Sequence, residues 1–588
     1  MSRVIETQPF VVDQNPKIEI DDAGLEGAKA PRTWSKVLEA VLVGAIVFVG
    51  IYIHAKNAQQ FPVIFNDDEG TYVAQAWAVL TGLGAHHGPA PYTYWYDHPP
   101  LGWIQIAIWA FFANTFHSGA LLAIGSARTF MSLLFVIDLL LFYAITRTAG
   151  LRPITGIVAL ATFSFSPLSV QLLRMVYLDT VAIPWLLLTI LILLGKRRTL
   201  LRSLTAGATF GVCVLTKETF LLFLPALIMI LFQSVQRPMR KFAIVGFLGA
   251  SAVIGSFYIL FATLRGELFP GPQHVSLIGS IEYQLFQRSA DGSIFNLASQ
   301  KTALAISWFH LDPYLISSLL LTIPFTLLAK RSRYLGVALI IGLLGIVRPG
   351  YVPVPFIFGY IPLMALAIGY SLDNVYCQVE KTLLSTLERP LFSSSYPRRI
   401  VHQLAHSRAN LLSGNRQTSK NLEPHKNFLR APAKTTIANR ISLLLISLVV
   451  VVIGIKVTPM WSHSDVRMDT VKTTNTQVAV ETWIIHHAPK SSVILVDDNY
   501  WVDLVDNGFA PSHVIWEWKY GPDPAVLDAL PQRWADFNYV ILSPIMRVSL
   551  SLNQLNQVNA VISHSRPVIS FGTGAKKTII LKVIHPPA

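Results

Sequence analysis

The sequence predicts a polytopic α-helical membrane protein with about eleven transmembrane helices and a C-terminal α/β domain outside the membrane. Composition is the first reason: of 588 residues, 52% are hydrophobic and only 14% charged, against about a quarter charged in soluble domains. Mean hydropathy is +0.48. The second reason is the recurrence of apolar runs of about 17–22 residues, each long enough to cross about 30 Å of hydrocarbon. The third is that Lys and Arg gather in alternate breaks between those runs, which fixes one consistent orientation. The net charge of +14 is spread over those breaks and follows no single face, so it reads as topology and excludes nucleic acid as a partner. The expected partner surface is the lipid bilayer. Cys213 lies in an apolar run and Cys377 in a basic loop, which excludes a disulfide framework or a cysteine-rich metal site.

Residues 1–35 are polar and lack the arrangement of a signal peptide, so a disordered cytosolic tail is expected. Residues 36–372 form the expected transmembrane module. Its first span, 37–53, follows Arg32 and Lys36 and therefore leaves the N-terminus in the cytosol. The outer loop from 56 to 126 carries Trp77, Trp95, Trp103 and Trp109, as interfacial helices do. Spans at 127–145 and 154–170 flank Arg147 and Arg152 and lead to a short outer loop, Arg174 to Asp179. The spans at 181–194 and 204–215 reach Thr216-Lys217-Glu218 outside, and 220–232 returns to Arg237, Arg240 and Lys241. A span at 242–264 opens a polar loop to 312. Spans at 313–328 and 334–347 then pass Lys330, Arg331 and Arg333 and deliver Arg348-Pro349-Gly350-Tyr351 outside.

After a span at 355–372, residues 373–440 read as a basic cytosolic loop and 441–460 as the last transmembrane helix. Residues 461–588 change character. Helical spacing over 470–487 and 524–537, buried strands at 493–496, 514–518 and 539–542, and a hairpin of 568–571 with 578–583 predict a small α/β domain.

Three consecutive carboxylates, Asp67, Asp68 and Glu69, stand just after the first span in a chain that otherwise avoids charge. Taking a proton from an acceptor hydroxyl requires a positioned carboxylate, and a second acid can orient the acceptor or hold a metal. The plainer reading is a helix N-terminus rich in acids, with Asn66 or Asp67 as cap and Tyr72 one turn in, and both readings hold together. Asp97 and His98 precede Pro99-Pro100, which prevent helical backbone before them and fix a rigid turn. A lone histidine is more often structural than catalytic, and no metal ligand set is assigned by spacing. Arg174 suits a phosphate oxygen and Asp179 a substrate hydroxyl, or the two pair with each other. Lys217 stands where an ammonium meets a lipid phosphate, with Glu218 as partner. Arg348 with Tyr351 offers a second phosphate clamp or a surface anchor. Trp501, Trp516 and Trp518 suit sugar stacking or core packing, the latter being the commoner use.

The pattern Asp68-Glu69-x-x-Tyr72, then His98-Pro99-Pro100-Leu101-Gly102, then the Arg174 to Asp179 loop, resembles the GT-C membrane glycosyltransferases. The likeness is to the branch of protein O-mannosyltransferases, aminoarabinose transferases and Rgt-like enzymes, over about 35–370. It implies a GT-C fold in a bacterial plasma membrane. It further implies sugar transfer, with inversion, from a polyprenyl-phosphate carrier of dolichyl or undecaprenyl type to a hydroxyl of a glycan, lipid or protein on the outer face. By the same resemblance Asp68 is the base, Glu69 places the acceptor, Asp179 is a second substrate contact and Arg174 binds the leaving phosphate. Lys217 and Arg348 help. The extra Asp67 departs from the family pattern and competes with Asp68 for the role of base. No organic cofactor is implied, and a divalent metal is an optional one because members differ in metal dependence. The competing class, a transporter or flippase of lipid-linked sugars, would carry its charges near mid-membrane, whereas here they stand at span ends.

Overall fold

The computed structural model describes residues 32–61, 68–84, 89, 91–116, 122–195, 199–272, 274–288, 292–388, 431–552 and 555–585. Residues 1–31 of the expected N-terminal tail, Asn66, Asp67 and most of the basic 373–440 segment lie outside the described residues, while the tail's last four residues, 32–35, already belong to helix Arg32–Ala55.

Among the described residues five stretches are long and apolar enough to cross a membrane: Lys36–Ala55, Ala123–Thr148, Arg237–Leu264, Val354–Thr386 and Ala438–His487. A sixth candidate is the pair Gln300–Leu311 and Pro313–Leu321, bent by 110°. Asp312 sits at that bend and caps the second helix, accepting from the backbone nitrogens of Tyr314 at 3.1 Å and Leu315 at 3.0 Å. The expected spans at 154–170, 181–194, 204–215 and 220–232 are shorter apolar helices, Pro153–Phe165, Leu178–Leu194, Leu200–Thr216 and Glu218–Ser234. Pro167 explains one of the breaks, ending helix Pro153–Phe165 at Ser166 and starting a new one. Helix Leu178–Leu194 is buried on nearly every side and packs against Leu200–Thr216 and Ala123–Thr148, so it forms the centre of the bundle.

Two helices overrun the expected boundaries. Helix Tyr360–Glu388 continues well past 372 because its polar extension is tied down. Asp373 pairs with Arg331 and with Arg152 at 3.4 Å, and Arg152 also reaches Glu380 at 2.8 Å and lies 4.0 Å from the Tyr376 ring. Helix Ala431–Thr470 has 40 residues and is therefore about 60 Å long, twice a hydrocarbon core.

The C-terminal domain holds a five-stranded sheet in the order β2-β1-β3-β5-β4. Its strands are β1 Ile494–Val496, β2 Val514–Trp516, β3 Tyr539–Leu542, β4 Ser565–Phe571 and β5 Thr578–Val583. β1 runs parallel to β2 and β3, with Leu495 beside both Ile515 and Val540, while β5 is antiparallel to β3 and β4. β1 and β2 are buried on both faces, as their unbroken apolar runs require. The expected helix over 524–537 is split into Pro524–Ala529 and a 3-10 turn Arg533–Asp536, since Pro531 disfavours helix at Leu530.

This domain is seated on the first loop of the bundle. The Tyr92 hydroxyl accepts from Trp516 N at 2.8 Å and donates to Val514 O at 3.0 Å, and its ring stacks on Trp516 at 4.2 Å. Lys519, buried between the two parts, donates to Thr93 O at 3.1 Å and lies 4.1 Å from the Trp95 ring. Gly70 permits the closest approach: a Cβ there would stand 2.5 Å from the carbonyl carbon of Asp498.

Candidate active site

Four separate segments bring charge to the end of the bundle beneath this domain. Asp68 opens helix Asp68–Leu80, where a carboxylate is favoured by the helix dipole. Asp97 and His98 occupy the turn before helix Leu101–Ala113, whose N-cap is Pro100. Asp179 lies in the first turn of helix Leu178–Leu194. Lys217, in extended conformation (φ −151°, ψ 113°), ends helix Leu200–Thr216 and turns the chain into Glu218.

The side chains interlock. His98 Nδ1 is 3.1 Å from both carboxylate oxygens of Glu218. Lys217 Nζ lies 3.2 and 3.0 Å from the two ring nitrogens of His98. The same ammonium is 3.7 Å from Asp179 Oδ2 and 3.9 Å from Glu218 Oε1. Tyr72 is buried between His98 and Tyr177, with ring centroids 5.7 and 6.3 Å away. The charge of Asp68 acts on Tyr72, Asp179 and Lys217.

Two sequence features allow this crowding. A Cβ at Gly102 would stand 2.6 Å from Leu178 Cδ2 and 2.9 Å from Thr216 O, so glycine lets the His98 turn close on Asp179 and Lys217. Tyr96 takes a left-handed φ of 51°, a conformation that costs an L-residue about 1 kcal/mol or more. It is held there by its hydroxyl on Glu267 at 2.6 Å and by Ser280 Oγ donating to Trp95 O at 2.7 Å. Glu267 is itself clamped by Arg265, with Nε at 2.6 Å.

The electrostatics are unequal. Burial and the Lys217 ammonium pull the His98 imidazole down, but the charge and hydrogen bond of Glu218 together with Asp97 outweigh them and the net shift is upward. Burial pushes Glu218 up, but His98 and Lys217 overcome it and hold Glu218 at about 2. The Lys217 ammonium and the His98 ring therefore stand about 3 Å apart with carboxylates on their flanks, and protonation of His98 adds a second positive charge beside Lys217.

Not every candidate joins this cluster. Glu69, next to Asp68, is fully buried in a two-pronged pair with Arg128, at 2.9 Å to Nε and 2.6 Å to Nη2. It also accepts from Val176 N at 2.8 Å, while Arg128 Nη1 donates to Ala58 O at 3.2 Å. The pair thus fixes the strand of loop that leads to Asp179. Arg174 does not face Asp179. Its buried guanidinium donates to Ile53 O and reaches Asp469 Oδ1 at 3.3 Å, because helices Arg32–Ala55 and Ala431–Thr470 flank it. An apolar groove of about 580 Å³ borders that seam, lined by Asp465 and Asp469 but not by Asp68, Asp179 or Lys217. Arg348 and Tyr351 form a third locality: Lys301 donates to Arg348 O at 2.7 Å, Arg348 reaches Tyr351 O at 3.4 Å, and Arg288 covers the Tyr351 ring at 3.5 Å.

Three residues at or beside the site escape sequence reasoning. Arg128 could have been found, since an arginine inside an apolar span is costly and demands a partner. Arg265 gave only the weak signal of a cation after the span that ends at Leu264. Asp498 gave none. Its carboxylate accepts from Thr71 Oγ1 and, at 2.7 Å, from Trp518 Nε1, which carries the α/β domain to within one turn of Asp68. Trp501 and Trp516 are core residues, 0% and 1% exposed. Among the described residues no three His, Cys, Asp or Glu side chains are grouped to hold a metal ion.

In sequence, no family model and no curated protein matches the chain. In structure, ArnT from Cupriavidus metallidurans matches with a TM-score of 0.53 at 13% identity, covering 94% of this chain and 98% of that one. The fold is that of the GT-C glycosyltransferases. A second ArnT structure, bound to undecaprenyl phosphate, matches with a TM-score of 0.52 at 14% identity over 94% of this chain and 98% of that one. The archaeal oligosaccharyltransferase AglB from Archaeoglobus fulgidus, in complex with an inhibitory peptide and a dolichol-phosphate, matches at 0.51 and 10% identity over 93% of this chain and 74% of its own length. The GT-C likeness thus extends over the bundle and the C-terminal domain together.

Proposed function

We propose that the chain is a membrane glycosyltransferase that moves a sugar from a polyprenyl-phosphate carrier to an acceptor hydroxyl, on the bundle end that carries the α/β domain. The observation that carries this reading is that Lys217 and His98 meet, within reach of the charge of Asp68, at one end of an apolar bundle. A lipid-linked donor leaves its phosphate at the membrane surface, so the cations that receive it belong there. ArnT with undecaprenyl phosphate and AglB with dolichol-phosphate are GT-C folds that hold such carriers.

In this reading the acceptor oxygen attacks the anomeric carbon as the bond from that carbon to the phosphate oxygen breaks. The acceptor proton passes to Asp68, and the bonding electrons leave on the lipid phosphate beside Lys217 and His98. One displacement inverts the anomeric carbon. Asp179 steers Lys217, and Asp97 and Tyr72 line the space between base and cations. Arg174, engaged by Ile53 and Asp469, positions its loop, and Glu69 holds the backbone in place through Arg128. In this reading the membrane is a bacterial plasma membrane, with this end outside and the N-terminus in the cytosol, as the positive-inside rule favours. Membranes containing the protein, given labelled polyprenyl-phosphate sugars, should transfer label to endogenous acceptors, and Asp68→Asn should lower that transfer about a hundredfold or more. Undiminished transfer by Asp68→Asn removes the proposed base.

A further inference from the structure

We infer that the opposite end of the bundle carries a separate binding site for the phosphate of an anionic membrane lipid. A cavity of about 600 Å³ lies there, walled by Met229 and Phe232 on one side and by Arg237, Arg240, Lys330 and Arg333. The cations come from two places distant in sequence, the turn that opens helix Arg240–Leu264 and the turn that opens helix Arg333–Val347. Helix Arg240–Leu264 has 25 residues and so separates its ends by about 37 Å. Arg240 lines this cavity, whereas Arg265, just beyond the far end, lies 5.6 Å from the ring of Tyr94 in the loop of the Asp68 site.

Among the described residues none of the four cations is paired with a carboxylate, although one is at hand. Asp373 takes Arg331, which stands between Lys330 and Arg333 in sequence but is not in the cavity wall. Two of the arginines are also set in place. Arg240 Nε donates to Val235 O at 3.1 Å with its guanidinium 4.3 Å from the Phe232 ring, and Arg333 Nε donates to Leu327 O at 2.9 Å. An arginine tied through Nε still presents its terminal nitrogens to phosphate oxygens.

A topology signal requires only that cations lie on one side of the membrane, and makes no demand that they converge on a cavity. Like charges so gathered repel unless an anion sits among them. Exposed Phe232 and half-buried Met229 add an apolar wall beside the charged mouth, which suits a headgroup phosphate with its acyl chain along the helix. Free inorganic phosphate would use the cations alone.

The test is native mass spectrometry of the full chain in detergent, titrated with phosphatidylglycerol or phosphatidylcholine. The expected result is about tenfold preference for phosphatidylglycerol, lost in Arg240→Gln/Arg333→Gln and reduced in the exposed pair Arg237→Gln/Lys330→Gln, each reading being taken on monodisperse protein. The control Lys36→Gln/Lys381→Gln removes the same charge elsewhere and should keep the preference. The proposal is overturned if both cavity variants retain the preference, if the control loses as much, or if millimolar inorganic phosphate displaces the lipid. The readout does not depend on sugar transfer, so it stands or falls separately from the proposed activity.

Discussion

Asp68 and Glu69 are adjacent on one helix, yet they belong to regions built on opposite principles. Around Glu69 the charges balance: one carboxylate, one guanidinium and two backbone groups satisfy one another in full burial. Around Asp68 they do not balance, since Asp68, Asp97, Asp179 and Glu218 gather about Lys217 and His98, and Glu218 is 39% exposed in its side chain. The first arrangement stabilises a backbone, and the second is the one to which the proposed reading assigns the donor. Successive helical residues point about 100° apart, so two neighbouring acids can serve different regions.

The comparison is broken most forcefully on the balanced side. Arg128→Met leaves Glu69 buried without its cation, which should cost about 3–5 kcal/mol of stability, visible as a large fall in thermal midpoint. The double variant Glu69→Leu/Arg128→Met should recover much of that loss. If Arg128→Met is as stable as the parent protein, the pair is not the anchor described here.

On the unbalanced side the expected effect is on binding. The raised His98 keeps its cation below the ordinary histidine value of about 6.5, and the contribution is lost as pH rises through the higher folded value. Glu218, held at about 2, stays ionised throughout that range. Donor affinity should therefore weaken about tenfold as pH rises through the His98 transition. His98→Gln should flatten the profile, and a profile unchanged in that variant would remove His98 from donor binding.

The smallest effect should come from the seam between bundle and domain. Thr71→Val removes the hydroxyl that meets Asp498 and should cost about 1 kcal/mol, read as a small shift in thermal midpoint. A shift as large as that of Arg128→Met would mean that the domain, rather than the buried pair, fixes the helix that begins with Asp68.

Much of the Asp68 region was legible in the sequence. Asp68, Asp97, His98, Asp179 and Lys217 stand at the ends of apolar runs, where charge is conspicuous, and the alternation of basic breaks puts them on one side. The three strands of the parallel part announced themselves as short apolar runs. What was not legible depended on direction or on distant docking. Arg174 is five residues from Asp179, and nothing in their spacing says that one turns to Ile53 and the other to Lys217. The seating of Asp498 on Thr71 joins residues more than four hundred positions apart. Helix lengths were underestimated where ion pairs such as Arg152 with Asp373 and Glu380 prolong a helix beyond its apolar run.

The central claim is that Asp68 takes the acceptor proton. Single-turnover transfer from a labelled polyprenyl-phosphate sugar, measured on purified Asp67→Asn and Asp68→Asn proteins with equal thermal midpoints, tests it most directly. The account predicts transfer near the parent rate for Asp67→Asn and a loss of about a hundredfold or more for Asp68→Asn. Loss in Asp67→Asn with transfer preserved in Asp68→Asn would contradict it and move the base one residue back.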